Sequence, residues 1–467
     1  MVANARKRAE SEAKVMTVGG WVPPGREVKM RKLLMAGIAI TALSGGAIAY
    51  ANQSAFAPRA QTFRMLELFG DVLAIVEQQY VVEVDDKKLI EAALDGMLSS
   101  LDPHSSYLSP DDFGELREQS RGAYGGLGLE VTTEDGAVKI VTPMDDTPGS
   151  RAGLQAGDYI TAVNGESVIG VRLSEAVAKM KGAPGTSVKL TVVRQGLDEP
   201  LELSLTREII NVKSVRGRME GDFGVLRISS FNENTARETV EALNALKRQN
   251  PAMKGLVLDL RNNPGGILDQ SVGVADVFLN GGEVVSQRGR DPRDIERYNA
   301  RPGDLAQGLP IVVLINNGSA SAAEIVAGAL QDHKRASIVG LTSFGKGSVQ
   351  TVIPLRGGQE GALKITTARY YTPSGRSIQR TGIEPDMEVA QSREQARRIA
   401  TSEFQFSEAA FRNALDSAEG RARRGAHEVT EAPPESFDAR TGDFQLVRAF
   451  DVLRANGDVQ YAIANPR

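Results

Sequence analysis

From residue 223 to about residue 389 the sequence alternates apolar runs of strand length with amphipathic runs of helix length, and this repeat restricts the fold more than any other feature of the chain. Strands are expected at 225–229, 256–260, 311–315 and 336–340, and helices at 235–247, 267–279 and 321–333. Strands that alternate with helices argue for a layered α/β core built on parallel strands. The chain is 467 residues long, and a single core stops growing beyond roughly 250–300 residues, so other domains must flank this one.

Residues 121–207 read as a compact β-rich module. A glycine loop at 125–128 enters a strand, further strands are expected at 137–143, 159–163 and 187–194, and a single helix at 173–181 is closed by Gly182. Asn164-Gly165 is a tight-turn dipeptide. Ahead of the module, residues 60–120 form a helical region with two apolar series at helical spacing: Leu66, Phe69, Leu73, Val76 and Tyr80 beside Met65, Leu68, Val72 and Ile75. So wide a stripe has two readings, a homodimer contact or a helix sandwiched between 86–100 and the body. The turn-rich stretch 101–110 ends this region. Residues 391–467 are helical but charged, with Pro433-Pro434 near a linker, and form a C-terminal extension with no assigned role.

Met30-Arg31-Lys32, the apolar stretch 33–43 and the small residues up to Ala49 compose an export signal over residues 30–57. Apolar character continues to about Ala51, so a cleaved signal and an uncleaved inner-membrane anchor both stay open. The product is expected in the periplasm. Residues 1–29 are polar and read as an upstream extension, with the natural start at Met30. A net charge of -4 without a basic stripe excludes nucleic acid as the main ligand. With no cysteine and only His104, His333 and His427, in unrelated contexts, a thiolate site, a multi-His metal site and a Ser-His-Asp triad all lack material. No metal or cofactor is expected, and the search for a base turns to lysine.

Two segments carry chemistry. Asn317-Gly318-Ser319-Ala320-Ser321-Ala322-Ala323-Glu324-Ile325 runs from an apolar strand into a helix, where unpaired backbone N–H groups and the helix dipole favour an oxyanion; capping by Ser319 or Ser321 is the plainer use of serine there. Ser343-Phe344-Gly345-Lys346-Gly347-Ser348-Val349-Gln350 places a lysine between glycines, with Phe344 able to strip water from the ammonium. A lysine base must be neutral, which asks its pKa to fall from about 10.4 to roughly 7 or 8, a cost of about 4 kcal/mol to the charged form. Taken alone the segment reads as a surface loop or phosphate contact, without full Walker spacing.

The loop Gly126-Leu127-Gly128-Leu129, with the A-G-L-x-x-G-D run at 152–158 and Asn164-Gly165, resembles PDZ domains. The resemblance implies that these four residues offer backbone N–H groups to a terminal carboxylate, while the adjacent strand and helix hold the peptide by β-augmentation. Over roughly 60–390 the chain resembles the carboxyl-terminal processing peptidases, or tail-specific proteases, through S-A-S-A-A-E-I at 319–325, F-G-K-G-S-V-Q at 344–350 and D-L-R-N-N-P-G-G at 259–266. That family implies a multidomain α/β fold: a helical N-terminal region, a PDZ-like domain before a crotonase/Clp-protease-like peptidase core at 208–390, and a helical C-terminal extension. It assigns the nucleophile to Ser321, the base to Lys346, the orientation of that lysine to Gln350, and the oxyanion hole to the N–H groups of Gly266 and Ala322. Glu324, one turn from Ser321, either supports the site or is a solvated first-turn acid. The implied protein is an exported serine endopeptidase that grips unstructured C-terminal tails, cleaves through an acyl-enzyme, and processes or degrades envelope proteins. An adaptor protein stays open. The alternative, an inactive exported PDZ scaffold, should lack at least one of Ser321, Lys346 and Gln350, and all three are present.

Overall fold

A computed structural model of the chain describes residues 60–464 except 292, 402–405, 418–426 and 439–440. The segments expected to form the upstream extension and export signal lie outside the described residues. Contacts divide the chain between Asp86 and Lys87. The first unit contains helix α1 (Ala60–Gln79), whose apolar residues Phe63, Leu66, Phe69 and Val72 are exposed.

The division falls after the first residue of α2 (Asp86–Ser99), and the second unit continues with β1 (Ser106–Leu108) and α3 (Pro110–Arg121). Helix α3 is delimited by local chemistry. Ser109 Oγ accepts the Asp112 N–H at 3.2 Å, Pro110 occupies the first turn, and Gly122 ends the helix at φ 64°.

The β-rich module comprises β2 (Ala123–Gly126), β3 (Leu129–Glu134), β4 (Ala137–Pro143), α4 (Pro148–Arg151), β5 (Tyr159–Val163), β6 (Glu166–Ser167), α5 (Leu173–Met180), β7 (Ser187–Val193), β8 (Leu201–Thr206) and β9 (Glu208–Asn211). The single expected helix is therefore joined by a second, four-residue one, α4, which starts on Pro148. An antiparallel sheet runs in the order β3-β4-β5-β7-β8 and buries Val138, Ile140, Ile160, Leu190 and Val192 against Ala176 of α5. Strand β3 forms the edge nearest the glycine loop. β2 and β9 pair into a two-stranded ribbon at the module's root. Buried Arg207 locks that ribbon to the end of α5, donating to the carbonyls of Met180 at 2.8 Å, Lys179 at 3.0 Å and Ser187 at 3.1 Å.

The remaining elements are β10 (Val215–Glu220), β11 (Phe223–Ile228), α6 (Thr235–Gln249), β12 (Gly255–Asp259), α7 (Leu268–Phe278), β13 (Gly282–Arg288), β14 (Ile295–Ala300), β15 (Ile311–Ile315), α8 (Ala322–Asp332), β16 (Ser337–Gly340), β17 (Ser348–Pro354), β18 (Ala362–Tyr371), β19 (Met387–Glu388), α9 (Arg393–Ala400) and α10 (Phe444–Ala464). A six-stranded sheet runs β10-β11-β12-β15-β16-β19, parallel from β11 onward, with β10 antiparallel at the edge. Side chains alternate across it. Leu226, Leu256, Leu258, Ile311, Val313 and Ile338 meet α6, α7 and α8 on one face, whereas Val225, Val257, Val312, Leu314 and Val339 meet Leu446, Ala449 and Leu453 of α10 on the other. The C-terminal extension thus supplies the layer that covers the rear of the sheet. A second, antiparallel sheet, β1-β18-β13-β14 with β17 on β18, was not foreshadowed by the strand–helix repeat.

Candidate active site

The loops after β11, β12, β15 and β16 leave the same carboxyl edge of the parallel sheet, the edge at which α/β folds collect ligands. Two asparagines staple them. Asn262 exchanges hydrogen bonds with Asn316 through both its backbone N–H and its side-chain oxygen, each at 2.8 Å. Asn263 donates to the Ile228 carbonyl at 2.9 Å, takes the Gly265 N–H at 2.9 Å on its side-chain oxygen, and takes the Ala320 N–H at 2.9 Å on its carbonyl. These side chains hold the glycine loop against the serine loop.

Gly265 and Gly266 have φ of 99° and 141°, a region that side chains disfavour. A Cβ on Gly265 would lie 2.9 Å from the Cβ of Ser321 and 3.0 Å from the nitrogen of Ala322, so the backbone passes directly beside the serine. Neither the Gly266 nor the Ala322 N–H donates to a protein acceptor among the described residues. Ser321 is the residue before α8, half-buried, with φ 54° and ψ -114°. That is strained for a non-glycine residue at a strand-to-helix turn. Ser319 is fully buried; its hydroxyl donates to the Leu260 carbonyl at 2.8 Å and accepts the Asn316 N–H at 3.0 Å.

Glu324 joins the serine loop to the lysine loop. It is fully buried, not a solvated first-turn acid. One carboxylate oxygen accepts the Ser321 N–H at 2.7 Å and the Lys346 N–H at 2.9 Å; the other accepts the Ser343 hydroxyl at 2.5 Å and the Gly345 N–H at 2.6 Å. Four donors fill the acceptor sites of an ionised carboxylate. Burial nevertheless pushes its pKa up to about 7 against those hydrogen bonds.

Lys346 is half-buried in the same cleft as Ser321, Gly265, Gly266 and Gln350, a cavity of ≈ 830 Å³. Burial pushes its pKa down to about 8, aided by the like charge of Lys364 and opposed by Glu408, Glu324 and Asp102. Phe344 packs its ring 5.3 Å from Phe406 and 6.1 Å from Phe411, and its carbonyl accepts the Glu408 N–H at 3.0 Å, so the C-terminal extension braces the lysine loop. Gln350 lines the cleft without a hydrogen bond to Lys346; its amide nitrogen donates to Ser348 Oγ at 2.9 Å and Thr366 Oγ1 at 3.1 Å. Thr366 is held in turn by Ser105, whose hydroxyl accepts the Thr366 N–H at 3.1 Å and donates to Asp102 at 2.7 Å. The three histidines are engaged elsewhere: His104 with Glu408, His427 with Glu388, and His333 with the Glu283 carbonyl. Asp102, Thr366, Lys364 and Glu408 escaped the sequence reading because no local spacing connects them to Lys346.

In the β-rich module, Gly126 ends β2, Leu127 and Gly128 are buried, and Leu129 opens β3. The carbonyl of Leu127 accepts the Gly149 N–H at 2.8 Å and that of Gly128 the Met144 N–H at 2.8 Å. The N–H groups across the same planar peptides, those of Gly128 and Leu129, point the opposite way, toward the outer edge of β3. Gly128 has φ 72°, and a Cβ there would lie 2.3 Å from that of Thr147, so the position admits only glycine.

Comparison with known proteins gives three family matches: Peptidase family S41 at 222–389, PDZ domain at 139–194, and activating protease CtpB N-terminal domain at 44–111. A "Carboxy-terminal-processing protease" of Bartonella bacilliformis is 46% identical over 426 residues, covering 91% of this chain and 96% of that protein. A "Probable CtpA-like serine protease" of Staphylococcus haemolyticus is 36% identical over 335 residues, 71% of this chain and 66% of that protein. Among solved structures, a photosystem II D1 C-terminal processing protease is 31% identical with a TM-score of 0.41, covering 69% of this chain and 92% of that one.

Proposed function

The chain belongs to the carboxy-terminal processing serine proteases of peptidase family S41 and carries their PDZ domain, and from that premise we propose that it is an exported endopeptidase working through a Ser321–Lys346 dyad. The observation that carries this reading is the single Glu324 oxygen shared by the N–H groups of Ser321 and Lys346, in a cleft where the lysine is pushed down to about 8. Neutral Lys346 takes the hydroxyl proton of Ser321, and the alkoxide attacks a peptide carbonyl. The N–H groups of Gly266 and Ala322 receive the oxyanion; a donor of this kind is worth on the order of 10² to 10³ in rate. Lys346 gives its proton to the leaving amine, then withdraws one from the water that hydrolyses the acyl-enzyme. Gln350 acts as a positioning residue through the Thr366–Ser105–Asp102 chain.

The PDZ domain binds an unstructured C-terminal tail along the edge of β3 and raises the local concentration of the upstream chain at the cleft. The signal-like segment at 30–57 supports export to the periplasm, and the exposed apolar residues of α1 support pairing with a second copy. The deciding experiment incubates purified protein with an unstructured polypeptide bearing a free tail and follows fragments by mass spectrometry. Ser321→Ala is expected to abolish cleavage with an unchanged melting temperature. Cleavage retained in that variant rejects the dyad.

A further inference from the structure

The ionisable lysines of the cleft differ in how their charge is met. Lys181, just after α5, lies 3.5 Å from the Glu118 carboxylate and 5.0 Å from the centre of the Tyr124 ring, so its cation is matched within the protein. Lys364 on β18 lines the same cleft and has no carboxylate within ion-pairing distance among the described residues. It stands opposite Val352 of β17 and Ser106 of β1, neither of which carries charge. Two positions further along the same face of β18 is Thr366, the residue that holds Gln350 at 3.1 Å. Lys364 is half-buried as a residue. A cation in a binding cleft, unmatched by its own protein, gains most when the ligand brings the anion.

We propose that Lys364 is a specificity-determining residue, selecting substrates that carry an acidic side chain close to the bond cleaved. Lys364 lines the same cleft as Ser321, so the favoured acid sits within a few positions of the attacked carbonyl, on the side that faces β18. This inference rests on the peptidase reading above and adds a substrate class to it. A lysine that served only to repel the charge of Lys346 would confer no such preference.

The test uses the full-length protein and a set of unstructured polypeptides with an identical free tail, in which a single Glu, Gln or Lys is stepped through four positions on either side of the cleavage bond. In the wild type, kcat/KM for Glu is expected to exceed that for Gln by about tenfold at one or two adjacent positions. That ratio falls to near one in Lys364→Gln. In Lys364→Glu it inverts, and the Lys-bearing substrate becomes the better one. A flat ratio at every position in the wild type overturns the proposal without recourse to any variant, and so does a Glu preference that survives in Lys364→Gln. Failure of the peptidase reading looks different: no substrate is cleaved by the wild type, or Ser321→Ala cleaves them all, and either result removes the proposal with it.

Discussion

Ser319 and Ser321 stand two positions apart and do unrelated work. The Ser319 hydroxyl is consumed by the Leu260 carbonyl and the Asn316 N–H, and it has no access to solvent. Ser319→Ala should therefore lower stability by about 1–3 kcal/mol, the cost of leaving buried partners unpaired, while kcat/KM stays within a few-fold; a chemical denaturation curve beside a cleavage assay checks both halves. For Lys346 the sign of the pH dependence is fixed by the direction of its shift. With Lys346 as the proposed base, half neutral at about pH 8, kcat/KM should climb with pH through that value and level off roughly one unit above it. Lys364→Met removes a like charge, raises the lysine's pKa and moves that limb to higher pH. Stability carries the same signature. The folded-state pKa is depressed, so the unfolded chain binds more protons between about pH 8 and 10, and stability rises with pH across that window. Lys346→Met should abolish the slope in urea midpoints measured from pH 8 to 10.

At the scale of elements, legibility followed burial. The run 311–315 is apolar at every position, and the strand begins and ends on those residues because both of its faces are covered. Strands β13, β14, β17 and β18 were invisible to the same reading. Ile295–Ala300, for example, is mostly exposed, so hydrophobic alternation had little to mark it. In the site, Ser321, Lys346 and Gly265-Gly266 could be read because each sits in a short motif with its own local geometry. The environment that sets the lysine's charge could not, since Asp102, Lys364 and Glu408 reach it from distant parts of the chain. Gly265→Ala is a test at this scale. Its Cβ would press to 2.8 Å against the Ala320 carbonyl at a φ of 99°, displacing the serine loop, so activity should fall at least about 10²-fold, as for a lost oxyanion donor.

At the scale of the whole molecule, the β2–β9 ribbon and the end of α5 bring the PDZ domain to the rim of the cleft, where Tyr124 and Lys181 line the same cavity as Ser321. A substrate with its terminal carboxylate blocked should therefore suffer chiefly in KM. In the variant Gly128→Ala, a rise in KM for the free-tailed substrate to the value of the blocked one, with the blocked substrate unchanged, would locate that loss at the glycine loop. The rear of the core depends on residues far along the chain: Arg261 pairs with Asp259 and reaches Asp443 at 2.7 Å, and Leu453 is buried against the parallel strands. Leu453→Ala should cost about 2–5 kcal/mol, measurable by denaturation. Translation delivers α10 after every strand it covers. A polypeptide still emerging from the ribosome thus carries its serine on a sheet whose rear face is bare, and cell-free synthesis halted before residue 440 should yield no cleavage.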